Sequence, residues 1–189
     1  MINNLFMHNY KNIYYFIDEF NKKELLKLDK KISIIYRNYT KKNIDTDVLN
    51  IKEFCKNSGN KFYLSNDKKK ALKYNADGLY IPSFNRFKMY KNSIYRKSFK
   101  IIGSAHNVKE VREKVLQGCT TIFISPVFKN KGFRSALGVA KLNKITINSK
   151  INFIALGGIN KNNIKRLNMT NVCGIASISW IKKNRPKFN

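Results

Sequence analysis

The sequence predicts a compact (β/α)8 barrel, the TIM-barrel architecture, with shortened first and last helices. Three observations predict it. Eight short β-rich apolar runs alternate with helix-like segments, the pattern of βα units that feed a parallel sheet. The 189 residues contain no linker rich in Pro, Gly or Ser and no internal repeat, so residues 1–189 read as one domain large enough to bury a core. A glycine pair, Gly157-Gly158, follows the seventh run, and Gly174 opens the eighth; barrels of this kind often bind phosphate after strands seven and eight.

Taken in order, Ile13–Ile17 (IYYFI) leads into KKELLKL, and Ile32–Arg37 (ISIIYR) into DTDVLNIKEFCKNSG. Lys61–Ser65 leads into NDKKKALKYNA and then Gly78–Pro82 (GLYIP). Lys100–Ser104 precedes NVKEVREKVLQG, and Thr121–Ser125 precedes a loop and ALGVAKLNKI. Asn152–Leu156 precedes INKNNIKRLNM, and Gly174–Ile178 precedes a tail with little room for an eighth helix. The segment after Lys100–Ser104 carries the clearest helix signals. Asn107 caps it, Glu110 three residues on approaches a capping box, and Gly118 stops it. Val108, Val111 and Val115 share one face, the face expected to pack on the sheet. Such barrels usually take about 250 residues; here the saving falls on a first helix of few residues and on the tail.

Composition narrows the function classes. Hydrophobic residues make up 43% and aromatics 13%, as in a folded chain. No apolar run approaches the roughly 20 residues of a membrane span. The N-terminal stretch is polar between its aromatics and carries acids, unlike a signal peptide, so the expected location is cytoplasmic. Cys55, Cys119 and Cys173 are odd in number and widely separated. They argue against a disulfide framework or a zinc site and read as small buried side chains. The 38 Lys+Arg against 11 Asp+Glu, a net charge of +27, call for anionic partners. Lysines are spread along the whole chain, and Lys, Asn and Ile, all with A/T-rich codons, are abundant together. Small phosphorylated ligands are therefore expected before nucleic acid. Oligomeric state has no signal in the sequence.

A glycine pair loses conformational entropy in any regular element, so something must call for it. At the end of a seventh strand, bare N–H groups can close on phosphate oxygens, with a helix N-terminus at Asn160–Asn163 adding its dipole. The other reading of such a pair is a tight turn.

These residues carry a resemblance. GSAHNVKEVREKVLQGCTTIFISPVF, FIALGGINKNNI and GIASIS, in that order, resemble the second half of the thiamine phosphate synthase/TenI family. Its pattern runs S-x-H and a helix, a strand ending G-P-V-F, then A-I-G-G-I and G-V-A-V-I-S. YLSNDKKKALKYNADGLYIPS is similar to its N-D-x-x-x-x-A-x-x-x-x-A-D-G-V-H segment. The resemblance spans about Lys61 to Ile178, with Arg37 matching a Q-L-R-x-K motif upstream. It implies a barrel in thiamin biosynthesis that joins hydroxymethylpyrimidine diphosphate to thiazole phosphate and releases pyrophosphate. It further implies that Arg37, Asn66 and Ser104 hold the pyrophosphate and that Asp67 binds Mg²⁺. Gly157, Gly158, Gly174, Ile175 and Ser177 would hold the thiazole phosphate.

The departures are specific. Ile35 and Tyr39 stand where the family has Gln and Lys, Tyr80 replaces a histidine, and Asn85 falls on the second Mg²⁺ aspartate. Asn130-Lys131-Gly132-Phe133 replaces a T-x-T-K loop, leaving Lys129, Lys131 and Arg134 to supply charge for the pyrophosphate there. The TenI branch isomerises thiazole phosphate with the histidine of S-x-H, matched by His106, and carries an L-P-S like Ile81-Pro82-Ser83. Three alternatives stay open: His106 moves protons or only orients; Asp67 binds metal or caps a helix; Arg37 binds anions or lies on the surface. Synthase chemistry is the first expectation; the alternatives are a thiazole tautomerase, a non-catalytic phosphate binder and, from another class, a basic nucleic-acid-binding protein.

Overall fold

The structure, a computed structural model, describes residue 10 and residues 12–87, 95–129, 135–147 and 149–187. Its strands are β1 (Asn12–Ile17), β2 (Ile32–Tyr36), β3 (Phe62–Ser65), β4 (Gly78–Ile81), β5 (Lys100–Ala105), β6 (Thr121–Ile124), β7 (Asn152–Leu156) and β8 (Gly174–Ala176). They pair in sequence order, all parallel, and β8 returns to β1 through Ile13↔Ile175 and Tyr14↔Ala176 to close the barrel. The helices are α1 (Lys22–Leu25), α2 (Asp45–Ser58), α3 (Lys68–Lys73), α4 (Val108–Leu116), α5 (Gly138–Thr146) and α6 (Ser179–Asn184). The expected economy is there: α1 has 4 residues and α6 has 6.

Strands of such a sheet are buried on both faces, so they read as near-continuous apolar runs. One face of each packs on the helices: Ile34, Phe62, Leu79, Ile122 and Ile175 meet Val48, Ile51, Ala71, Leu142 and Ile181. The other face fills the barrel with Tyr14, Phe16, Ile35, Tyr63, Tyr80, Ile102, Phe123 and Ile154. Branched aliphatics usually dominate this space; here aromatic rings do, packed edge-on. Tyr14–Phe123 centroids lie 4.8 Å apart, Phe16–Tyr80 5.2 Å and Tyr80–Phe123 5.6 Å. Bulk on one strand requires its absence on the next: a Cβ at Gly78 would come within 2.8 Å of the Tyr63 ring.

Two local expectations are corrected. No α-helix begins at Asn160–Asn163; a turn leads into a 3-10 helix, Ile164–Met169. The asparagines are the cause. Asn160 Oδ1 accepts from the N–H groups of Asn162 and Asn163, and Asn163 Oδ1 accepts from Asn160 N–H, side-chain bonds that compete with a helical backbone. Of the α4 valines only Val111 packs against the core. Val108 and Val115 are 46% and 41% exposed, while Lys114 is fully buried. The capping at the helix start does hold: Asn107 Oδ1 accepts from Glu110 N–H at 3.0 Å.

The interior phenols set a pH limit. Burial pushes Tyr14 and Tyr80 up to about 12, against about 10 for an unfolded tyrosine. The native state therefore holds these protons more tightly. The stabilisation is complete below about pH 10 and is lost as pH rises through about 12. In an alkaline titration, the last tyrosinate absorbance should appear together with loss of near-UV circular dichroism, and Tyr80→Phe should remove part of that step.

Candidate active site at the barrel mouth

The C-terminal strand ends gather most of the residues expected at a site. Arg37 follows β2 directly, and its N–H donates to Ile17 O at 2.7 Å, so the chain keeps strand alternation for one more residue. Its guanidinium lies 4.8 Å above the Phe16 ring. Burial raises the Tyr80 pKa, and the nearby Ser104 hydroxyl and Arg37 guanidinium oppose the rise. Arg37 is half-buried and has no carboxylate partner among the described residues. It is thus a mouth residue, not an ordinary surface arginine.

The loop behind Arg37 is pinned from both sides. Asn38 Nδ2 donates to Asp18 O at 2.8 Å. Lys41 pairs with Asp47 at 2.7 Å, and Tyr36 OH also donates to Asp47. Tyr39 shares a 2.8 Å hydrogen bond with Ser65 Oγ, and its ring meets Phe84 edge-on at 5.3 Å.

After β3, Asn66 takes a left-handed backbone, φ 60°, which asparagine tolerates better than most residues. Its Oδ1 accepts from Asn85 Nδ2 at 2.6 Å. Asp67 caps α3, with Oδ1 accepting from Lys70 N–H at 2.8 Å. Its other carboxylate oxygen has no hydrogen-bond partner among the described residues. The capping role is therefore real, and it leaves one anionic oxygen outside the cap. Asn85 does not extend a metal site: its Oδ1 accepts from Phe87 N–H. Among the described residues no three His, Cys, Asp or Glu side chains gather to hold a metal. Mg²⁺ commonly takes one or two protein carboxylates and completes its shell with substrate phosphates and water. Asp67 fits that ion only as part of a metal–diphosphate complex.

His106, just past β5, is held at both ring nitrogens. Nδ1 lies 2.5 Å from Ser125 O and Nε2 lies 3.0 Å from Ser83 Oγ. A carbonyl only accepts, so Nδ1 carries a proton and donates to Ser125 O, while Nε2 and the Ser83 hydroxyl share the second hydrogen bond. Glu110 fixes the main chain, accepting from His106 N–H at 2.8 Å. The ring borders a cavity of about 380 Å³ lined also by Pro126, Ser135, Leu137 and Lys141.

After β7, Gly157 and Gly158 both take positive φ, 91° and 70°. They also lie against the loop after β6. A Cβ on Gly158 would meet Phe128 O at 2.3 Å, and one on Gly157 would meet Pro126 Cα at 2.9 Å. Phe128 N–H bonds Gly157 O. The pair therefore has a packing cause independent of any ligand, while its own N–H groups have no acceptor among the described residues. Gly174 and Ile175 lie inside β8 and not at its end: a Cβ on Gly174 would meet Asn12 O at 2.0 Å, and Ile175 is buried under the helices. Ser177 is at the strand end, but its hydroxyl already caps α6 by accepting from Trp180 N–H at 3.2 Å. Lys129 is exposed beside the glycine pair; Lys131 and Arg134 lie outside the described residues.

Residues 22–181 match the family profile described as "Thiamine monophosphate synthase" (TMP-TENI). The chain belongs to this family. Similar family proteins include a thiamine-phosphate synthase of Prochlorococcus marinus, 32% identical over 137 residues, 67% of this chain and 37% of that protein. The thiamine-phosphate synthase of Clostridium novyi (strain NT) is 37% identical over 118 residues, 60% of this chain and 57% of that one. The chain spans under two fifths of two Prochlorococcus relatives, 37% and 38% of their lengths. The fold is that of the thiamine phosphate pyrophosphorylase from Pyrococcus furiosus, with a TM-score of 0.74 at 20% identity over 96% of this chain and 94% of that one. Within the family frame, sequence reasoning missed Ser125, whose role is a backbone carbonyl and leaves no side-chain signal, and the tie of Tyr39 to Ser65.

Gly158→Ala should be far more damaging than Gly59→Ala. Both glycines have positive φ, 70° and 77°, but nothing lies within 4 Å of a Cβ at Gly59. Gly59→Ala should cost about 1 kcal/mol for the backbone alone. Gly158→Ala adds overpacking of roughly 1–3 kcal/mol, read as a further fall in Tm of about 2–4 °C per kcal/mol.

Proposed function

We propose that this chain is a thiamine phosphate synthase. It would join hydroxymethylpyrimidine diphosphate to thiazole phosphate, breaking the bond from the pyrimidine methylene to the diphosphate oxygen and forming a bond from that carbon to the thiazole nitrogen. The observation that carries the reading is Arg37, a half-buried guanidinium at the mouth with no acidic partner among the described residues, beside Asn66 and Asp67. A cation held there is preorganised for the charge that develops on a departing diphosphate. Asn66 would position the diphosphate and Asp67 would hold Mg²⁺, which when bound supplies Lewis-acid stabilisation of the leaving group. The N–H groups of Gly157 and Gly158 would take the thiazole phosphate, with Lys129 nearby. Ser104, near the end of β5, would help hold the diphosphate. A soluble cytoplasmic setting follows from this chemistry; no helix among the described residues is long and apolar enough to cross a membrane.

A second reading rests on His106. Its ring, oriented by Nδ1 on Ser125 O with Nε2 facing Ser83, would be the acid/base group of a TenI-like tautomerisation of thiazole phosphate, which needs a phosphate grip and one such group but no metal.

The deciding experiment supplies both substrates and Mg²⁺ and follows thiamin phosphate. Product that disappears with EDTA is the expected result. Asp67→Asn sharpens it, because asparagine caps a helix about as well as aspartate. Tm should move by less than about 1 kcal/mol equivalent, while turnover falls by on the order of 10²-fold or more. Thiazole isomerisation that is blocked by His106→Asn, without coupling, would replace the synthase reading with the tautomerase.

A further inference from the structure

The loop after β4 touches the mouth at three points, each on a different neighbouring element. Ser83 Oγ meets His106 Nε2 at 3.0 Å, after β5. The Phe84 ring meets Tyr39, after β2. Asn85 Nδ2 bonds Asn66 Oδ1, after β3. Two bonds within residues 82–87 shape this stretch, Asn85 N–H to Pro82 O and Phe87 N–H to Asn85 Oδ1, and Lys114 of α4 with Gln117 anchors it from outside. Lys114 Nζ donates to Pro82 O at 2.7 Å, to Asn85 O at 2.7 Å and to Gln117 Oε1 at 2.9 Å. Gln117 Nε2 donates in turn to Asn85 O at 2.9 Å and Phe87 O at 3.0 Å.

Lys114 is fully buried and Gln117 is 1% exposed. An ammonium group has three protons, and all three are used. A buried lysine is rare unless it is satisfied in this way. The path for its stem is made by β5: a Cβ on Gly103 would lie 3.0 Å from Lys114 Cδ, so the absence of a side chain there lets the lysine cross the strand to the loop. Apolar packing would fill the same space without any of this. The polar pair does something packing does not: it fixes the direction of two loop carbonyls on either side of Ser83 and Phe84.

We propose that Lys114, with Gln117, is a positioning residue of the barrel mouth: it sets the β4 loop so that Ser83 meets the His106 ring and Asn85 meets Asn66. The inference depends on the proposed function only for its catalytic consequence; the geometry itself is testable without substrate.

The test is Lys114→Met, which keeps the stem and removes the donors. The chain has two histidines, so a His8→Gln background leaves one ring, that of His106, for ¹⁵N NMR. The unaltered ring should report a protonated Nδ1 with a hydrogen-bonded Nε2. Lys114→Met should move the Nε2 signal toward that of an unbonded nitrogen and broaden the Asn66 and Asn85 side-chain amide signals. Leu142→Ala, in the core under α5, serves as the control: it should lower Tm and leave the His106 ring signals in place. If Lys114→Met does not fold, Gln117→Leu, which removes two of the loop contacts, takes the same measurement. Unchanged His106 signals in a folded variant would overturn the inference, and so would failure of both variants to fold, since the pair would then determine the fold and not the loop. Where coupling activity is present, kcat should fall by roughly 10²-fold, as for a small misplacement of reacting groups, with KM for thiazole phosphate little changed. Movement of the His106 signals in a protein without coupling activity would leave the positioning role standing and remove only the synthase reading.

Discussion

A closed parallel barrel must bury both faces of every strand and still satisfy every polar group at its rim, and that double demand organises this molecule. The inner face is filled with rings, which bring more volume per residue than branched aliphatics. That bulk lets short strands such as the three-residue β8 close the barrel, provided a neighbour gives way, as Gly78 does beside Tyr63. The rim cannot be filled with hydrocarbon, because the backbone turns there and leaves N–H and C=O groups behind. Side chains close those bonds: Asn38 on Asp18 O, Lys114 on Pro82 O and Asn85 O, His106 on Ser125 O. The same groups that satisfy the rim are the ones that shape the site.

This explains which parts were legible in the sequence. Strand existence and order were readable, because burial on both faces writes a dense apolar run that hardly depends on context. The short end helices were readable from the length between runs. Helix faces were not. On α4 the period of Val108, Val111 and Val115 points to one face, yet only Val111 of them packs against the core and the fully buried residue is Lys114, whose donors reach a loop far along the chain. No periodicity carries that information; it lies in the partner carbonyls, which have no letter in the sequence. The asparagine-rich turn after β7 failed as a helix for a similar reason, since the asparagine amides bond the backbone locally.

The site residues divide along the same line. Arg37, Asn66, Asp67 and His106 were readable as motif positions, and all stand at the strand ends. Gly174 and Ile175 share a motif with Ser177 but are set back within β8, where close approach to β1 accounts for the glycine. A glycine in a motif can serve a ligand or a neighbouring strand, and only the distance from a Cβ to the backbone beside it separates the two. At Gly158 the backbone angle and close approach that packing demands also leave an N–H without an acceptor among the described residues.

Two features lower the negative charge at the mouth. An amide at Asn85 turns toward Asn66 instead of offering a second carboxylate to a cation, and Arg37 has no acid beside it among the described residues. Tyr39, standing where the family has Lys, works the other way by removing a cation. In a chain of net charge +27, long-range attraction of polyanionic ligands is already strong and falls with salt; what the general charge cannot supply is direction. A guanidinium held over the Phe16 ring supplies it. Under the synthase reading, part of the charge stabilisation that a second metal ion site would supply thus rests on Arg37, whose planar guanidinium suits phosphate oxygens.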